Sequence, residues 1–250
     1  MKHVTRHNST MSVTSFPGAL ENGDVFSVND SRGFEVVEIL EKVPTSEVAT
    51  CSLAAIVTPN IHSDEMYESA AYYALKMIDK CIHMSHYELP QVGYTAKARM
   101  NAGVGIVGTA YDMAKNDLRY DSLEGRNFFH KQMETHYYWL VEASLKLSQE
   151  RGLAPWIHKT KWPQGWLPID TYKKTVDELT TEPLHRNWEG LRARIFANGG
   201  IGHSVLCNLM PTESSSKASG MPNCVYPIRR LAMKKTDGSK ERLAVTLVRD

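Results

Sequence analysis

Long hydrophobic runs, closely spaced cysteines and an excess of either charge are all missing from this chain of 250 residues. No stretch approaches the roughly 18 uninterrupted apolar residues that a membrane-spanning helix requires. Residues 1–15 lack the apolar block of a secretory signal peptide. These absences make a soluble, cytoplasmic protein without a membrane partner the expectation.

The cysteines are few and widely spaced, and none lies in a C-x-x-C or zinc-type arrangement. They are Cys51, Cys81, Cys207 and Cys224. In a reducing compartment we expect free thiols, since an unpaired cysteine usually packs as a small hydrophobic side chain. His83 and His86 lie near one of them, but no second ligand cluster accompanies them. We therefore predict no metal site.

The charges nearly balance, with 29 Lys and Arg against 28 Asp and Glu, which gives a formal net charge of +1. This balance gives no electrostatic reason to expect nucleic acid or an anionic membrane as a partner. A site for an anion must therefore come from local backbone geometry.

The amino-terminal part of the chain is predicted to be irregular. Residues 1–33 are mostly polar, contain a proline and several glycines, and show no lasting hydrophobic period. From residue 34 onwards, apolar runs alternate with amphipathic segments. The sequence therefore predicts an irregular arm, residues 1–33, and one domain, residues 34–250.

Strands and helices alternate along this domain. Strands are predicted at residues 34–40, 47–57 and 203–210, the last two as buried strands. Helices are predicted from a cap at Ser63 to about residue 86, between Ser122 and Gly152, and from a cap at Asn187 to Gly199. Alternation of this kind favours an α/β fold with parallel strand pairing.

Gly103, Gly105 and Gly108 nearly reproduce the dinucleotide-binding pattern G-x-G-x-x-G. The pattern needs a strand before it and, about twenty positions later, an acidic residue in a strand context. The sequence predicts neither, so we interpret the glycines as room for close packing.

The stretch NLMPTESSSKASG, residues 208–220, allows two interpretations. The N–H groups at a helix start bind phosphate without help from Lys or Arg, which makes Thr212, Glu213, Ser214 and Ser215 candidate phosphate contacts. The other interpretation is an ordinary helix start, capped by Thr212 or Ser214. Residue types by themselves favour the second interpretation.

Longer words of the sequence carry a family resemblance. They are ATCSLAAI (49–56), ARMNAGVGIVGTAYDMAKNDLRYDS (98–122), HKQMETHYYWLVEASLKLSQERGLAPW (130–156), WLPIDTYKKTVDELTTEPLHRNWEGLRARI (166–195) and SVLCNLMPTESSSKASG (204–220). In this order they resemble the large, catalytic subunit of aerobic class I ribonucleotide reductase of the bacterial and phage type. The resemblance covers roughly residues 47–235.

The resemblance implies a fold and an activity. Residues 34–250 would form part of the family's ten-stranded α/β barrel, incomplete on its own. The activity would be the radical-based reduction of ribonucleoside diphosphates to deoxyribonucleoside diphosphates. In that family a redox-active cysteine pair reduces the substrate, with a thioredoxin- or glutaredoxin-type protein as reductant. A small subunit with a di-iron tyrosyl radical supplies the radical, so no cofactor is expected to bind this chain directly.

Two pieces of the site carry over by resemblance. Cys51, in ATCSLAAI, matches one cysteine of the reducing pair, although the residues after Ile56 depart from the family's usual continuation. The candidate phosphate contacts at residues 212–215 match the loop that holds the substrate diphosphate. Cys207 has no role in the family and is predicted to pack in the core.

Several features of the family are missing from this sequence. They are the radical cysteine with its glutamate and asparagine, the second reducing cysteine, the regions that bind ATP and deoxynucleotide effectors, and the carboxy-terminal tyrosine pair and cysteine tail. The sequence therefore predicts one piece of a divided large subunit, active only with the complementary piece and the small radical subunit. A non-catalytic remnant or nucleotide-phosphate-binding module is a second interpretation, and an unrelated domain with a capped helix near residue 211 is a third.

Overall fold

The computed structural model describes residues 47, 48 and 50–228 in full, and the backbone of short strands on either side of them. The chain divides into two compact units. One contains residues 1–50 and 87–95, and the other contains residues 51–86 and 96–250.

The first unit contains short antiparallel strands. They are β1 (Lys2–Arg6), β2 (Ser9–Val13), β3 (Val25–Asp30), β4 (Gly33–Glu38) and β5 (Val43–Pro44). One sheet has the order β2-β1-β5, and β3 pairs with β4. Strand β4 confirms the prediction at residues 34–40 over its described part. Three of the strands lie within residues 1–33, where the sequence predicts none, and the domain boundary at residue 33 stays a prediction.

Parallel strands form the centre of the second unit. Strand β6 (Ser52–Val57) pairs in parallel with β7 (Ala102–Val107), and this confirms the predicted α/β class. The connection between them contains α1 (Asp64–Met84) and α2 (Pro90–Arg99). All of β7 is buried, whereas Ile56 is the only fully buried residue of β6. The prediction of a buried strand at 47–57 is therefore wrong for most of its length, because the described residues of this range before Ser52 form no strand and β6 pairs with a described strand on one edge only.

The segment at residues 203–210 runs alongside β7, but it does not form a regular strand. Its only parallel bridge among the described residues joins Cys207 to Val104. Ala102 N donates to Val205 O at 3.0 Å and Val104 N donates to Leu206 O at 2.9 Å. Between these two hydrogen bonds, β7 advances by two residues and the segment by one. This change of register interrupts the ladder, so the predicted strand at 203–210 is reduced to a single bridge.

Strand β7 itself is a correction to the sequence prediction. Glycine has low strand propensity, so Gly103 and Gly105 weaken the strand signal in the sequence. Hydrogen bonds on both edges of β7 stabilise it nevertheless. Gly108 follows with a φ of 99° and leads directly into α3 (Thr109–Lys115), a turn that favours glycine.

The predicted caps of the long helices are confirmed. Ser63 accepts a hydrogen bond from Met66 N at the start of α1, and Ser122 accepts one from Gly125 N at the start of α4 (Leu123–Arg151). Asn187 does the same for Gly190 N at the start of α5 (Trp188–Asn198). Gly152 and Gly199 follow the last residues of α4 and α5 with positive φ angles.

The core of the second unit lies between α1, α4 and the two parallel strands. Its largest fully buried side chains are Leu75, Ile82, Met100, Ile106, Met113, Leu140, Leu145, Leu147, Leu167, Leu191 and Ile195. The other elements include α6 (Glu213–Ser219), the hairpin of β8 (Ala232–Asp237) and β9 (Lys240–Val245), and five short 3-10 helices. None of the described helices is long and apolar enough to cross a membrane.

Candidate functional site

Gly103 of β7 lies beneath side chains that converge from both neighbouring segments. A Cβ atom on Gly103 would lie 2.6 Å from Leu53 Cδ2, 2.9 Å from Cys51 Sγ and 3.0 Å from Asn208 Cβ. Packed interiors do not tolerate contacts of this length between carbon or sulfur atoms. The glycine is therefore what allows Cys51 to lie against the strand.

Gly105, two residues further along, has the same role. A Cβ atom there would lie 2.6 Å from Asn208 O and 2.8 Å from Met210 Sδ. Because side chains alternate along a strand, Gly103 and Gly105 share one face. We call the surface formed by Cys51, Leu53, Gly103, Gly105 and Asn208 the open face. Leu53 is 53% exposed on it, so this face has little cover.

Cys51 lies just before β6, at one end of the open face. Its side chain is exposed, and its thiol donates a long contact of 3.8 Å to the Ser52 carbonyl. Partial desolvation raises the pKa of this thiol above its ordinary value. Cys51 is therefore a protonated thiol at neutral pH, able to give up a hydrogen atom or a proton and electrons.

Cys207 points away from Cys51. It is bridged in parallel to Val104, whose side chain lies on the opposite face from that of the adjacent Gly103. Burial raises the pKa of the Cys207 thiol to about 12. The cysteines of this chain are all free thiols, and the predicted packing role of Cys207 agrees with its position.

The hydroxyl-rich loop starts where the open face ends. Met210 lies over Gly105, two residues along β7 from the glycine under Cys51, a distance of roughly 7 Å in an extended strand. Gly108 N donates to Pro222 O at 3.1 Å, which ties the end of β7 to the segment after α6. The structure thus brings Cys51 and the loop at residues 211–215 to the two ends of one short surface.

Thr212 occupies the N-cap position of α6 but does not cap the helix. Its backbone N–H and its hydroxyl both donate to Asn223 Oδ1, at 2.7 and 2.8 Å. Its hydroxyl oxygen accepts from Cys224 N at 2.9 Å. The interpretation of Thr212 or Ser214 as a capping residue is therefore wrong, since Thr212 bonds to the following segment and Ser214 lies inside the first turn.

The loop nevertheless has the form of an uncapped helix start. Glu213, Ser214 and Ser215 are exposed in the first turn of α6, where backbone N–H groups lack intrahelical acceptors. Thr212 is buried with both donors engaged, so a ligand would meet the three exposed residues first. Whether residues 212–215 contact a phosphate stays a prediction. Asn223 organises the loop, and no sequence signal marks it.

A buried histidine supports β7 from the helix side. His136 Nε2 donates to Val104 O at 3.0 Å, and Tyr67 Oη donates to His136 Nδ1 at 2.9 Å. Burial lowers the pKa of His136 to about 4, so the ring is neutral and this donor assignment follows. The pair fixes the strand behind the two glycines of the open face.

A second buried network of hydrogen bonds centres on His203, in the segment that leads to the loop. His203 bonds to Asp79 Oδ1 at 2.9 Å and to Ser144 Oγ at 2.8 Å, and Arg151 pairs with the same carboxylate. These are the residue types of a Ser-His-Asp triad, but Ser144 and His203 have no exposed surface. A substrate cannot reach them, so the network joins α1 and α4 to the segment that leads to the loop.

In the described part of the chain, no group of three or more His, Cys, Asp or Glu side chains is close enough to hold a metal ion.

The chain matches the family model of the ribonucleotide reductase barrel domain over residues 36–250. It is 35% identical over 183 residues to the ribonucleoside-diphosphate reductase subunit alpha of Buchnera aphidicola subsp. Acyrthosiphon pisum, covering 73% of this chain and 24% of that protein. It is 41% identical over 143 residues to the ribonucleoside-diphosphate reductase 1 subunit alpha of Escherichia coli K12, covering 57% of this chain and 19% of that protein. The subunit alpha of Enterobacteria phage T4 is 32% identical over 190 residues, covering 74% and 24%.

This chain belongs to the ribonucleotide reductase barrel-domain family, and its fold is an incomplete α/β barrel. It spans about a quarter of the length of the curated relatives that it matches.

Proposed function

We propose that this chain is one piece of a divided ribonucleoside-diphosphate reductase large subunit, and that it supplies one reducing cysteine and the diphosphate loop. The observation that carries the proposal is the open face, which has a protonated thiol at one end and an uncapped helix start at the other. The family match across residues 36–250 supports this interpretation of the open face.

In this proposal Cys51 is half of a reducing pair. Two thiols that close to a disulfide release two electrons and two protons, which balances the loss of the 2′ hydroxyl of the ribose as water. The second thiol must lie within about 6–7 Å of Cys51, Cα to Cα. Cys207 faces the opposite side of the sheet. The proposal assigns the second thiol to the complementary piece, as the family resemblance implies.

Substrate binding is assigned to the start of α6. The N–H groups and hydroxyls of Ser214 and Ser215 would donate to the diphosphate, and the partial positive charge of the helix start would add to this attraction. The Glu213 carboxylate would repel a phosphate, so this residue would contribute its N–H while its side chain points elsewhere. Thr212 would act through its bonds to Asn223, which hold the loop in place.

The proposed partners are those that the family resemblance implies. A complementary large-subunit piece would cover the open face and the outer edge of β6, since uncovered apolar surface and strand edges favour association. That piece would carry the radical cysteine, the second reducing cysteine and the effector sites. A small di-iron radical subunit would generate the radical, and a thioredoxin- or glutaredoxin-type protein would reduce the disulfide after each turnover.

The test is reconstitution. The chain is co-purified with the complementary piece and the small subunit, and reduction of a ribonucleoside diphosphate is measured. We expect Cys51→Ser to reduce turnover to background, whereas Cys81→Ser, which removes an exposed thiol on α1, leaves turnover unchanged. Full activity of Cys51→Ser would contradict the assignment of the thiol.

The loop is tested separately by the substrate concentration dependence. Ser214→Ala and Ser215→Ala should each raise KM for the diphosphate by roughly tenfold, the equivalent of one charge-assisted hydrogen bond. Ser69→Ala, which changes an exposed serine on α1, is the matched control. Nucleotide binding by the chain without turnover in any reconstitution would instead support a non-catalytic phosphate-binding module.

A further inference from the structure

A cavity lies between α4 and the segment that leads from residue 168 to α5. Its volume is about 480 Å³. Pockets that bind small molecules usually measure roughly 300–1,000 Å³, so this cavity is large enough for a ring compound. We call residues 171–179, which are all exposed and form one wall of the cavity, the strap.

Both ends of the strap are fixed to helices. Before the strap, Asp170 pairs with Arg192 of α5 at 2.7 Å. After the strap, Asn127 Oδ1 of α4 accepts from Thr180 Oγ1 at 2.7 Å and from Thr181 N at 3.0 Å. These bonds keep the strap in place on the two helices. The cavity is therefore part of the folded chain and does not need a ligand to form it.

Glu134 is the buried acid of the cavity, and its role is structural. Its carboxylate accepts from the backbone N–H groups of His185 and Arg186, each at 2.9 Å, and from Trp188 Nε1 at 3.0 Å. A buried carboxylate with three donors has its charge well satisfied. Glu134 thus holds the start of α5 against α4 and leaves the recognition of a ligand to other side chains.

The walls of the cavity are largely aromatic and apolar. The side chains that give them this character are Met133, Tyr137, Ile169, Tyr172, Val176 and Trp188. Aromatic rings bind flat apolar groups by stacking, and their faces also attract cations. One ring already does so, since Lys174 Nζ lies 4.4 Å from the centroid of the Tyr172 ring.

The charged groups of the lining favour a cation over an anion. Asp177 accepts from Tyr172 Oη at 2.8 Å, and this neutral donor does not cancel the charge of the carboxylate. Glu182 also lines the cavity and bonds to His185 Nε2 at 2.5 Å. Among the described residues that line the cavity, His130 is the only basic side chain, and none is Lys or Arg. A phosphate or carboxylate ligand would therefore meet repulsion from Asp177 and Glu182.

We propose that this cavity is a binding site for an aromatic amine, whose ring would lie against the aromatic walls and whose ammonium group would face Asp177 and Glu182. Aromatic rings combined with nearby carboxylates suit an organic cation of this kind. The cavity shares no residue with the open face or with the loop at residues 211–215. The proposal is therefore independent of the proposed catalytic function.

Calorimetric titration of the full chain with two matched probes tests the proposal. Tryptamine and indole-3-propionate carry the same ring and linker, but one ends in an ammonium group and the other in a carboxylate. We expect tryptamine to bind with a dissociation constant of roughly 0.05–1 mM, and indole-3-propionate to bind roughly tenfold more weakly. Equal affinities, or no heat of binding with tryptamine up to about 10 mM, would overturn the proposal.

Two variants of the strap locate the site. Val176→Trp places a large ring in the wall of the cavity and should weaken tryptamine binding roughly tenfold by filling the space. Leu179→Trp introduces the same ring at a 54% exposed position that does not line the cavity, and should leave binding unchanged. Equal effects of the two variants would place the amine elsewhere and contradict the proposal.

The charge preference is tested by removing both acids. A double variant, Asp177→Asn with Glu182→Gln, should bring the dissociation constants of the two probes within roughly threefold of each other. Glu178→Gln, which neutralises an exposed neighbouring acid outside the lining, should keep the tenfold difference. A difference that persists in the double variant would show that these carboxylates do not select the ligand.

The same titration on the chain bound to its complementary large-subunit piece separates a small amine from a protein side chain as the natural occupant. We expect tryptamine to bind the complex with the affinity that it has for the free chain. Loss of tryptamine binding in the complex would show that the other piece fills the cavity, and it would overturn the proposal.

Discussion

The two faces of β7 differ in how completely they are packed, although six consecutive residues make both. On the helix side, His136 donates to the Val104 carbonyl and accepts from the Tyr67 hydroxyl within a fully buried environment. On the open face, Gly103 and Gly105 carry no side chain, and Cys51 and Leu53, which lie over Gly103, are exposed.

The difference separates stability from chemistry. The buried His136 on the helix side is paired at both ring nitrogens, because an unpaired buried polar group would cost free energy of folding. The open face retains a thiol with little cover, and the chain gives up packing there to keep space for other groups. The helix-side face of β7 thus contributes to the stability of the fold, and its open face stays available to other groups.

The largest effect is expected on the helix side. Asp79→Ala should lower the free energy of unfolding by about 3–5 kcal/mol, because Arg151 and His203 lose their buried partner. Asp121→Ala is the matched control. It breaks an exposed pair with Arg119 and should leave the free energy of unfolding nearly unchanged. Urea unfolding of both variants measures the contrast, and equal losses would contradict the assignment of the network to the core.

Acidification should act on the same side of β7. Burial lowers the pKa of His136 to about 4 and also lowers the pKa of His203, so the unfolded chain takes up protons before the folded chain does. Stability is therefore present above the unfolded pKa of about 6.5 and is lost as the pH falls towards 4. For His136 the loss at pH 5 is about 2 kcal/mol.

The measurement is the free energy of unfolding as a function of pH in the wild-type chain and in His136→Leu. The variant should show a smaller loss between pH 6.5 and pH 5, since it no longer has this buried imidazole. An identical pH dependence in the two proteins would show that His136 does not titrate as its burial requires.

A side chain on the open face should have a smaller but more local effect. Gly103→Ala introduces a methyl group against Leu53 and Cys51 and should cost about 1–3 kcal/mol. It should also change the rate at which a thiol reagent labels Cys51, while the labelling rate of Cys81 on α1 stays the same. Unchanged labelling of Cys51 would contradict the close contact over Gly103.

The smallest changes in stability are expected for substitutions at two residues of the loop, Thr212 and Ser215. Thr212→Val removes the bonds to Asn223 Oδ1 and from Cys224 N that involve the hydroxyl, and should cost about 1–2 kcal/mol. Ser215→Ala, at an exposed position, should change stability by less than about 0.5 kcal/mol. Phosphate binding should show the reverse order if Ser215 touches the ligand, and calorimetric titration with a nucleoside diphosphate measures it.

Local sequence signals predicted what depends on neighbouring residues. The caps at Ser63, Ser122 and Asn187 and the stops at Gly152 and Gly199 are confirmed, because capping is decided within one helical turn. The glycine-containing strand was missed, because its stability comes from hydrogen bonds to segments about fifty and one hundred residues away in the chain.

The candidate site divides in the same way. A family resemblance indicated Cys51 and residues 212–215, but residue types by themselves favoured a capped helix there. The Thr212 hydroxyl instead bonds to Asn223 and Cys224, and only the folded loop brings these residues together. The supporting pair of Tyr67 and His136 is 69 residues apart and carries no sequence signal at all.

The sequence by itself determined the α/β class, the ends of the main helices and the family, because periodicity, caps and long shared words are all local properties. The tertiary structure decided which face of β7 is packed and which is open, why glycines occupy the open face, and that Cys51 and the loop lie at its two ends. These features depend on side chains from distant segments meeting over one strand, and such contacts form only when the chain is folded.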